Sequence, residues 1–276
     1  MNSSLNPNVQ WDSSFRLVAS EKWKAKSAAM GHNVTEALVE YSQPKPGMNV
    51  LDLASGTGEP AISVAALLNA SGKVIALDLN AELLEIASER AHQRKLTNFS
   101  TCQANAQCLP FPDNSFDLVT CRFGVMFMGE PALQEAHRVL KSGGRACFAA
   151  WGPFEQPYWS SNMGVVHKYV GGPPVLETRD PFKYSQPGSL STALRHAGFE
   201  VVQEETKTLP WTWPGTAEEV WDYIRSVSVP FHPMLERVPP ERWDTIHHEI
   251  LAEIGKYVED GSVKFGATIV LASGTK

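Results

Sequence analysis

Cysteine is scarce in this 276-residue chain and long apolar runs are missing, and each shortage removes a class of protein. The four cysteines, Cys102, Cys108, Cys121 and Cys147, show no C-x-x-C spacing, and three fall in segments that read as strands. They are expected to be reduced, buried, small apolar residues, which excludes a disulfide framework and a zinc site. The longest apolar run of the first half, Ala61 to Leu68, falls far short of the ~20 residues a membrane span needs. The start, "MNSSLNPNVQ", lacks the apolar core of a signal peptide, so no membrane span and a cytoplasmic location are expected. Basic runs are missing as well. With 24 Lys and Arg against 30 Asp and Glu the net charge is −6, which argues against a nucleic acid and for a small molecule as the main partner.

What is present is apolar content, 43% of residues, ample for one elaborated domain. From Val50 to Trp151 short apolar segments alternate with amphipathic ones: "NVLDL", "EPAISVAALLNA", "KVIALDL", "AELLEIASERAHQRKL", "FSTCQA", "FDLVTCRF", "PALQEAHRVL", "RACFAAW". This is β-α-β-α order, and it predicts a parallel sheet with helices on both faces and right-handed crossovers. Ligands of such sheets gather at the carboxyl ends of the strands. In the helix after Asn80, Leu83, Leu84, Ile86 and Ala87 form the inward stripe, with Asn80 as N-cap.

Two helices are expected ahead of the sheet, Phe15 to Ala29 and Val34 to Tyr41, the second capped by Asn33. After Trp151 the alternation breaks into Pro-, Gly- and aromatic-rich stretches, including "LPWTWPG", and six of the eight tryptophans lie from position 151 onward. Helices are expected at Ser160 to Tyr169, Ser189 to His196, Ala217 to Ser226 and Arg242 to Tyr257. Strands at Glu200 to Thr206 and Lys264 to Ala272 complete the sheet. The organisation is a single domain over 1–276: an N-terminal helical roof (1–47), a cofactor-binding core (48–151), lid and substrate-binding insertions with one core strand (152–263), and a last core strand (264–276).

The chemistry concentrates in "NVLDLASGTGEP". Gly56 and Gly58 let the backbone turn through positive φ and approach a ligand closely, and a helix starting near Pro60 points its amides at the same place. Asp78, at the end of the next strand, is placed to accept both ribose hydroxyls. A dinucleotide and an adenosyl ligand fit these features equally. Asp52 separates them: at about 5 Å and an effective dielectric of 20, its charge costs a pyrophosphate roughly 3 kcal/mol per like-charged pair. The same acid favours a ligand that carries an ammonium and a sulfonium, as S-adenosylmethionine does.

Four segments in order, "VLDLASGTG", "VIALDLN", "ANAQCLPFPDNSFDLVTCRFGVMF" and "RVLKSGGR", resemble the successive motifs of class I S-adenosylmethionine-dependent methyltransferases. The similarity is to the small-molecule branch that includes the ubiquinone and menaquinone biosynthesis methyltransferases, and it covers about Trp11 to Trp151. It implies a Rossmann-like, doubly wound, seven-stranded, mostly parallel α/β sheet with N- and C-terminal helical lid elements. It further implies Asp52, Ala54, Gly56 and Gly58 around the methionine part of the cofactor, Asp78 on the ribose and Leu79 against the adenine. Asn105 and Ala106 would reach the adenine's exocyclic edge, and Arg122 and Phe123 would line the floor. Ala54 replaces the first glycine of the family's turn and Asn105 the usual aspartate of the adenine motif. An amide oxygen still accepts from the adenine amine, with less charge assistance.

Trp23 is read either as core packing or as closing over the cofactor. Of the eight histidines, His32 in the roof and His167 in the first lid helix are the candidates for a general base. Asp117 is read as structural. The sequence thus points to methyl transfer to O, C or N of a small, rather apolar acceptor. A nicotinamide-dependent reductase and a non-catalytic adenosyl-binding module are the alternatives; the absence of a Tyr-x-x-x-Lys pair weighs against the reductase.

Overall fold

The structure is a computed structural model and describes residues 22–276. It opens with α1 (Lys24–Ser42), followed by β1 (Asn49–Leu53), α2 (Ala61–Leu68), β2 (Lys73–Asp78), α3 (Ala81–Gln93) and β3 (Phe99–Gln103). Then come β4 (Phe116–Arg122), α4 (Val125–Met128), α5 (Glu130–Val139) and β5 (Leu140–Trp151). The second half adds α6 (Pro157–Ser160), α7 (Met163–Val170), α8 (Ser189–His196), β6 (Glu200–Trp213), α9 (Ala217–Val227), α10 (His232–Leu235), α11 (Trp243–Gly255), β7 (Val258–Glu259) and β8 (Ser262–Thr275).

The strands form one sheet in the order β3-β2-β1-β4-β5-β8-β6, with the two-residue β7 paired to β8. The first five strands are parallel; β8 runs antiparallel to both β5 and β6. Seven strands on the main path match the number expected from the motifs, and β7 is an addition. β1 and β4 lie inside the sheet and are buried along almost their whole length because both of their faces are covered. β3, an edge, keeps a mixed pattern of exposure. Asn80 caps α3 by accepting the Leu83 amide at 2.9 Å, a contact of the kind that contributes about 1 kcal/mol. Asp117 accepts the Asn49 amide and two short contacts from Lys141, tying β4 to its neighbours. Among the described residues no helix is long and apolar enough to cross a membrane.

Three expectations need correction. The N-terminal region is not two helices divided at Asn33: α1 runs unbroken from Lys24, and residues 15–21 of the first expected helix lie outside the described residues. Asn33 caps nothing; its side-chain amide donates to the Pro210 carbonyl at 3.0 Å. Gly31 within α1 costs about 1 kcal/mol relative to alanine, too little to break a helix held by tertiary contacts.

The stretch "LPWTW" is not a break in the lid but the second half of β6, which runs seven residues past the expected end at Thr206. Pro210 is tolerated because β6 is an edge strand, where a missing amide hydrogen costs no ladder bond on the solvent side. The cysteines divide. Cys121 and Cys147 are buried in β4 and β5, but Cys102 is half-buried and Cys108 is exposed in the loop after β3; all four are unpaired.

Candidate active site

β1 lies between β2 and β4, and the crossovers from these strands leave toward opposite sides, which opens a crevice at their carboxyl ends. A cavity of about 870 Å³ occupies it, roofed by one face of α1 and closed on the far side by the segment after β5. Ala54, Gly56, Asp78, Leu79, Asn105, Ala106, Arg122, Phe123 and His32 all reach its wall.

The turn after β1 is built from the inside outward. Asp52 is fully buried and does not reach the cavity. Its carboxylate accepts from Thr120 Oγ1 at 2.7 Å and from Ser55 Oγ. Burial pushes its pKa up to about 7, against the pull of those hydroxyls and of the Arg122 charge. The expectation of direct contact between this acid and a ligand cation is therefore corrected. Asp52 shapes the turn through Ser55, because both of its oxygens are committed to protein hydroxyls.

Gly56 has φ +53° and open space where a Cβ would sit, as a wall against a ligand requires. Gly58, at φ +106°, is different: a Cβ there would lie 2.5 Å from Ile62 Cδ1 and 3.1 Å from the Ala87 methyl. It is a packing glycine between turn and helices and does not reach the cavity, which corrects its expected place beside the cofactor.

The start of α2 holds a feature that the sequence reading missed. Glu59 accepts from Ser63 Oγ at 2.6 Å and from the Ser63 amide at 3.2 Å, so the helix amide is met by the chain's own carboxylate. Arg90 and Arg94 approach the same carboxylate at 3.9 and 3.7 Å. The helix-start amide that a pyrophosphate takes in a dinucleotide site is thus already used by a carboxylate of the chain, itself flanked by two arginines. The signal was legible: a glutamate four residues ahead of a serine at a helix start.

At the other side of the turn, Asp78 accepts the Gly56 amide at 2.8 Å and the Asn80 amide at 3.0 Å, while its carboxylate borders the cavity with acceptor capacity remaining. Leu79 presents an apolar side chain, 41% exposed, to the same space. Asn105 accepts the Gln107 amide at 2.9 Å, which fixes its side chain at the cavity edge next to Ala106.

The opposite end is aromatic. Trp151, at the end of β5, stacks on Phe123 (4.3 Å between centroids) and on Tyr158 (5.6 Å), and meets Trp159 and Trp211 edge-on, both at 5.3 Å. Each such pair contributes about 1 kcal/mol beyond its buried area, so the wall is rigid. Burial pushes the Tyr158 phenol well above its ordinary pKa, which keeps it neutral. Tyr158 and Trp211 were not singled out from sequence, because only the fold of α6 and the unexpected length of β6 bring them here.

Arg122 borders the cavity at the end of β4, where its guanidinium donates to Thr35 Oγ1 at 2.7 Å. His32 stands at the rim, 63% exposed and 3.2 Å from Glu36. The other two candidates lie elsewhere. His167 points into the following loop, 2.7 Å from the Gly172 carbonyl, and does not reach the cavity, so its place as a base candidate is corrected. Trp23 packs edge-on against Trp213 at 5.4 Å, buried in the core and away from the cavity wall. Of its two readings, core packing is the one the geometry matches.

Residues 27–167, half of the chain, match the ubiE/COQ5 methyltransferase family. The chain belongs to that family. Among curated relatives, the ubiquinone/menaquinone biosynthesis C-methyltransferase UbiE of Xanthomonas oryzae is 45% identical over 111 residues, which are 39% of this chain and 44% of the relative. The chain therefore matches less than half the length of such relatives. Solved structures share the fold at lower identity. YcgJ of Bacillus subtilis superposes with a TM-score of 0.57 at 21% identity, covering 88% of this chain and 97% of its own. Phosphoethanolamine N-methyltransferase 2 of Haemonchus contortus, solved in complex with S-adenosyl-L-methionine, gives 0.57 at 18% identity, covering 96% of this chain and 60% of its own.

Proposed function

We propose that this family member is an S-adenosyl-L-methionine-dependent methyltransferase acting on a small, flat, rather apolar acceptor of quinone-like character. The observation that carries this reading is a single cavity in which a strand-end carboxylate, Asp78, and an aromatic wall around Trp151 face a common space. Membership of the ubiE/COQ5 methyltransferase family supports it. The residues fit the cofactor. Asp78 would take the ribose hydroxyls, Leu79 the adenine face, Asn105 and Ala106 its edge, and Ala54 and Gly56 the amino-acid end. Glu59 takes up the α2 amide that a dinucleotide's pyrophosphate would use. That sets the nicotinamide-reductase reading aside.

When bound, the cofactor supplies an electrophilic methyl group on a sulfonium. The chain's part is to place the acceptor and exclude water. The Phe123–Trp151–Tyr158 stack offers a flat aromatic surface for a ring, and α1 and the segment after β5 border the space on either side. An acceptor that must lose a proton would find His32 at the rim as the candidate base. A small-molecule acceptor, rather than nucleic acid, accords with the enclosed aromatic wall and the acidic balance. The four unpaired cysteines suit a reducing, cytoplasmic setting.

Calorimetric titration with S-adenosylhomocysteine and with NADH tests the cofactor, and transfer of labelled methyl to a panel of hydroquinones and naphthols tests the acceptor. Binding of the adenosyl ligand alone, with one labelled product, is the expected result. NADH binding without S-adenosylhomocysteine binding would falsify the proposal, and cofactor binding without turnover on any acceptor would favour a non-catalytic module.

A further inference from the structure

Arg122 is a cation that the fold builds into the cavity and provides with no counter-charge. Its guanidinium donates to Thr35 Oγ1 at 2.7 Å and to the Gly31 carbonyl at 3.4 Å, both neutral oxygens. Among the described residues no carboxylate lies within ion-pairing distance of it. Each nearby acid is committed elsewhere: Asp52 to Ser55 and Thr120, Glu59 to Ser63 and the Arg90 and Arg94 charges, Asp78 to the Gly56 and Asn80 amides, Glu36 to His32. Desolvation presses the guanidinium pKa below its ordinary value, with Glu59 and Asp52 opposing from a distance. Enclosed charges are normally paired, because the attraction of a partner offsets the lost hydration.

The roof helix is adapted to this side chain. A Cβ on Gly31 would sit 3.0 Å from Arg122 Nη1, so the glycine inside α1 makes room for the guanidinium. Thr35, one turn on, anchors that same nitrogen while its hydroxyl donates back to the Gly31 carbonyl at 3.1 Å. One nitrogen is thereby fixed and the planar fork is oriented, leaving donors for a ligand in the space that the aromatic wall and the glycine turn share.

We propose that Arg122 is the anion site of the cavity, taking an ionised oxygen of a bound ligand in a fork that Gly31 and Thr35 position. The inference rests on the methyltransferase reading. Two ligands offer the required chemistry there: the carboxylate at the amino-acid end of the adenosyl cofactor, and an acceptor that binds as a carboxylate or phenolate. Charge-assisted, bidentate pairing with guanidinium is the shared recognition.

The test compares wild type with Arg122→Met, Arg122→Lys, Gly31→Ala and Thr35→Val by calorimetry and tryptophan quenching. Probes are S-adenosylhomocysteine, 5′-methylthioadenosine, which lacks the amino-acid end, and 2-naphthoate against neutral 2-naphthalenemethanol, the last two added to protein saturated with S-adenosylhomocysteine. A loss of about 10- to 100-fold for S-adenosylhomocysteine in Arg122→Met, with 5′-methylthioadenosine unchanged, supports the proposal with the cofactor as source. The same loss for 2-naphthoate alone supports it with the acceptor as source. Arg122→Lys should recover part of the loss, and Gly31→Ala and Thr35→Val should weaken only the anionic probe, by a few-fold. Equal binding of every probe by wild type and Arg122→Met overturns it, as does an equal loss for charged and neutral probes. Wild-type protein that binds neither nucleoside overturns the methyltransferase reading itself, which separates that failure from this one.

Discussion

The amide of Gly56 donates to Asp78 Oδ2 at 2.8 Å, so the glycine turn after β1 hangs on the carboxylate that ends β2. The residue proposed to hold a ribose also sets the height of the turn at the cavity wall. Asp78→Ala is expected to lower S-adenosylhomocysteine affinity at least tenfold, since it removes a charged acceptor and loosens the turn together. Calorimetry on the variant checks this; affinity equal to wild type would show that the carboxylate serves the turn alone.

Asp52 makes stability depend on pH. Its folded pKa of about 7 lies above the ordinary carboxylate value of 3.8, so the folded protein holds this proton more tightly than the unfolded chain does. The contribution is fully present at low pH, is lost as pH rises between about 4 and 7, and is level above. Its full span is at most roughly 4 kcal/mol. Denaturant unfolding of wild type and Asp52→Asn at pH 5 and pH 8 isolates it, because the other titrating groups cancel in the comparison. Asp52→Asn should lose the most relative stability at pH 5 and approach or exceed wild type at pH 8. A difference that does not vary with pH would remove Asp52 from this role.

Ala54 and Gly124 form a coupled pair. Ala54 holds φ +51°, a left-handed conformation that costs an L-residue about 1 kcal/mol, and its methyl lies 2.6 Å from where a Cβ on Gly124 would be. Ala54→Gly is expected to be neutral or to stabilise by up to about 1 kcal/mol. Gly124→Ala should destabilise by about 2 kcal/mol, from crowding of Ala54 and of Cys121 Sγ at 2.9 Å. In the double variant part of that loss should return. Thermal unfolding of the four proteins measures the coupling, and strictly additive effects would mean the two methyls never compete.

His167 should be dispensable for methyl transfer. Its ring spends its contact on the Gly172 carbonyl at 2.7 Å, away from the cavity. His167→Ala is expected to cost up to about 1 kcal/mol of stability and to leave kcat/KM within about twofold of wild type. A fall of a hundredfold, with the pH profile losing its acidic limb, would return it to the candidate bases.

The sequence by itself determined the order of the parallel strands β1 to β5 and the turn at the end of β1. Strands such as "NVLDL" are short, apolar and bounded by glycine turns, and Asn80 and Asp78 act within a few residues of their own strand end, so local chemistry places them. Local chemistry also located the turn at Gly56, whose positive φ and open space no other residue type provides as cheaply. What lay beyond it were the relationships between distant segments. Asp52 looks in sequence like an acid offered to a ligand; only the packing of β4 beside β1 brings Thr120 against it and turns it into a buried support. β6 hid its length behind Pro210, since a proline is a strand breaker everywhere except at a sheet edge, and which strand is an edge is decided by topology. That longer strand carries Trp211 to the aromatic wall and Trp213 to Trp23. The setting of Arg122 was decided last of all, by α1 crossing over β4 so that Gly31 and Thr35 meet a side chain some ninety residues away.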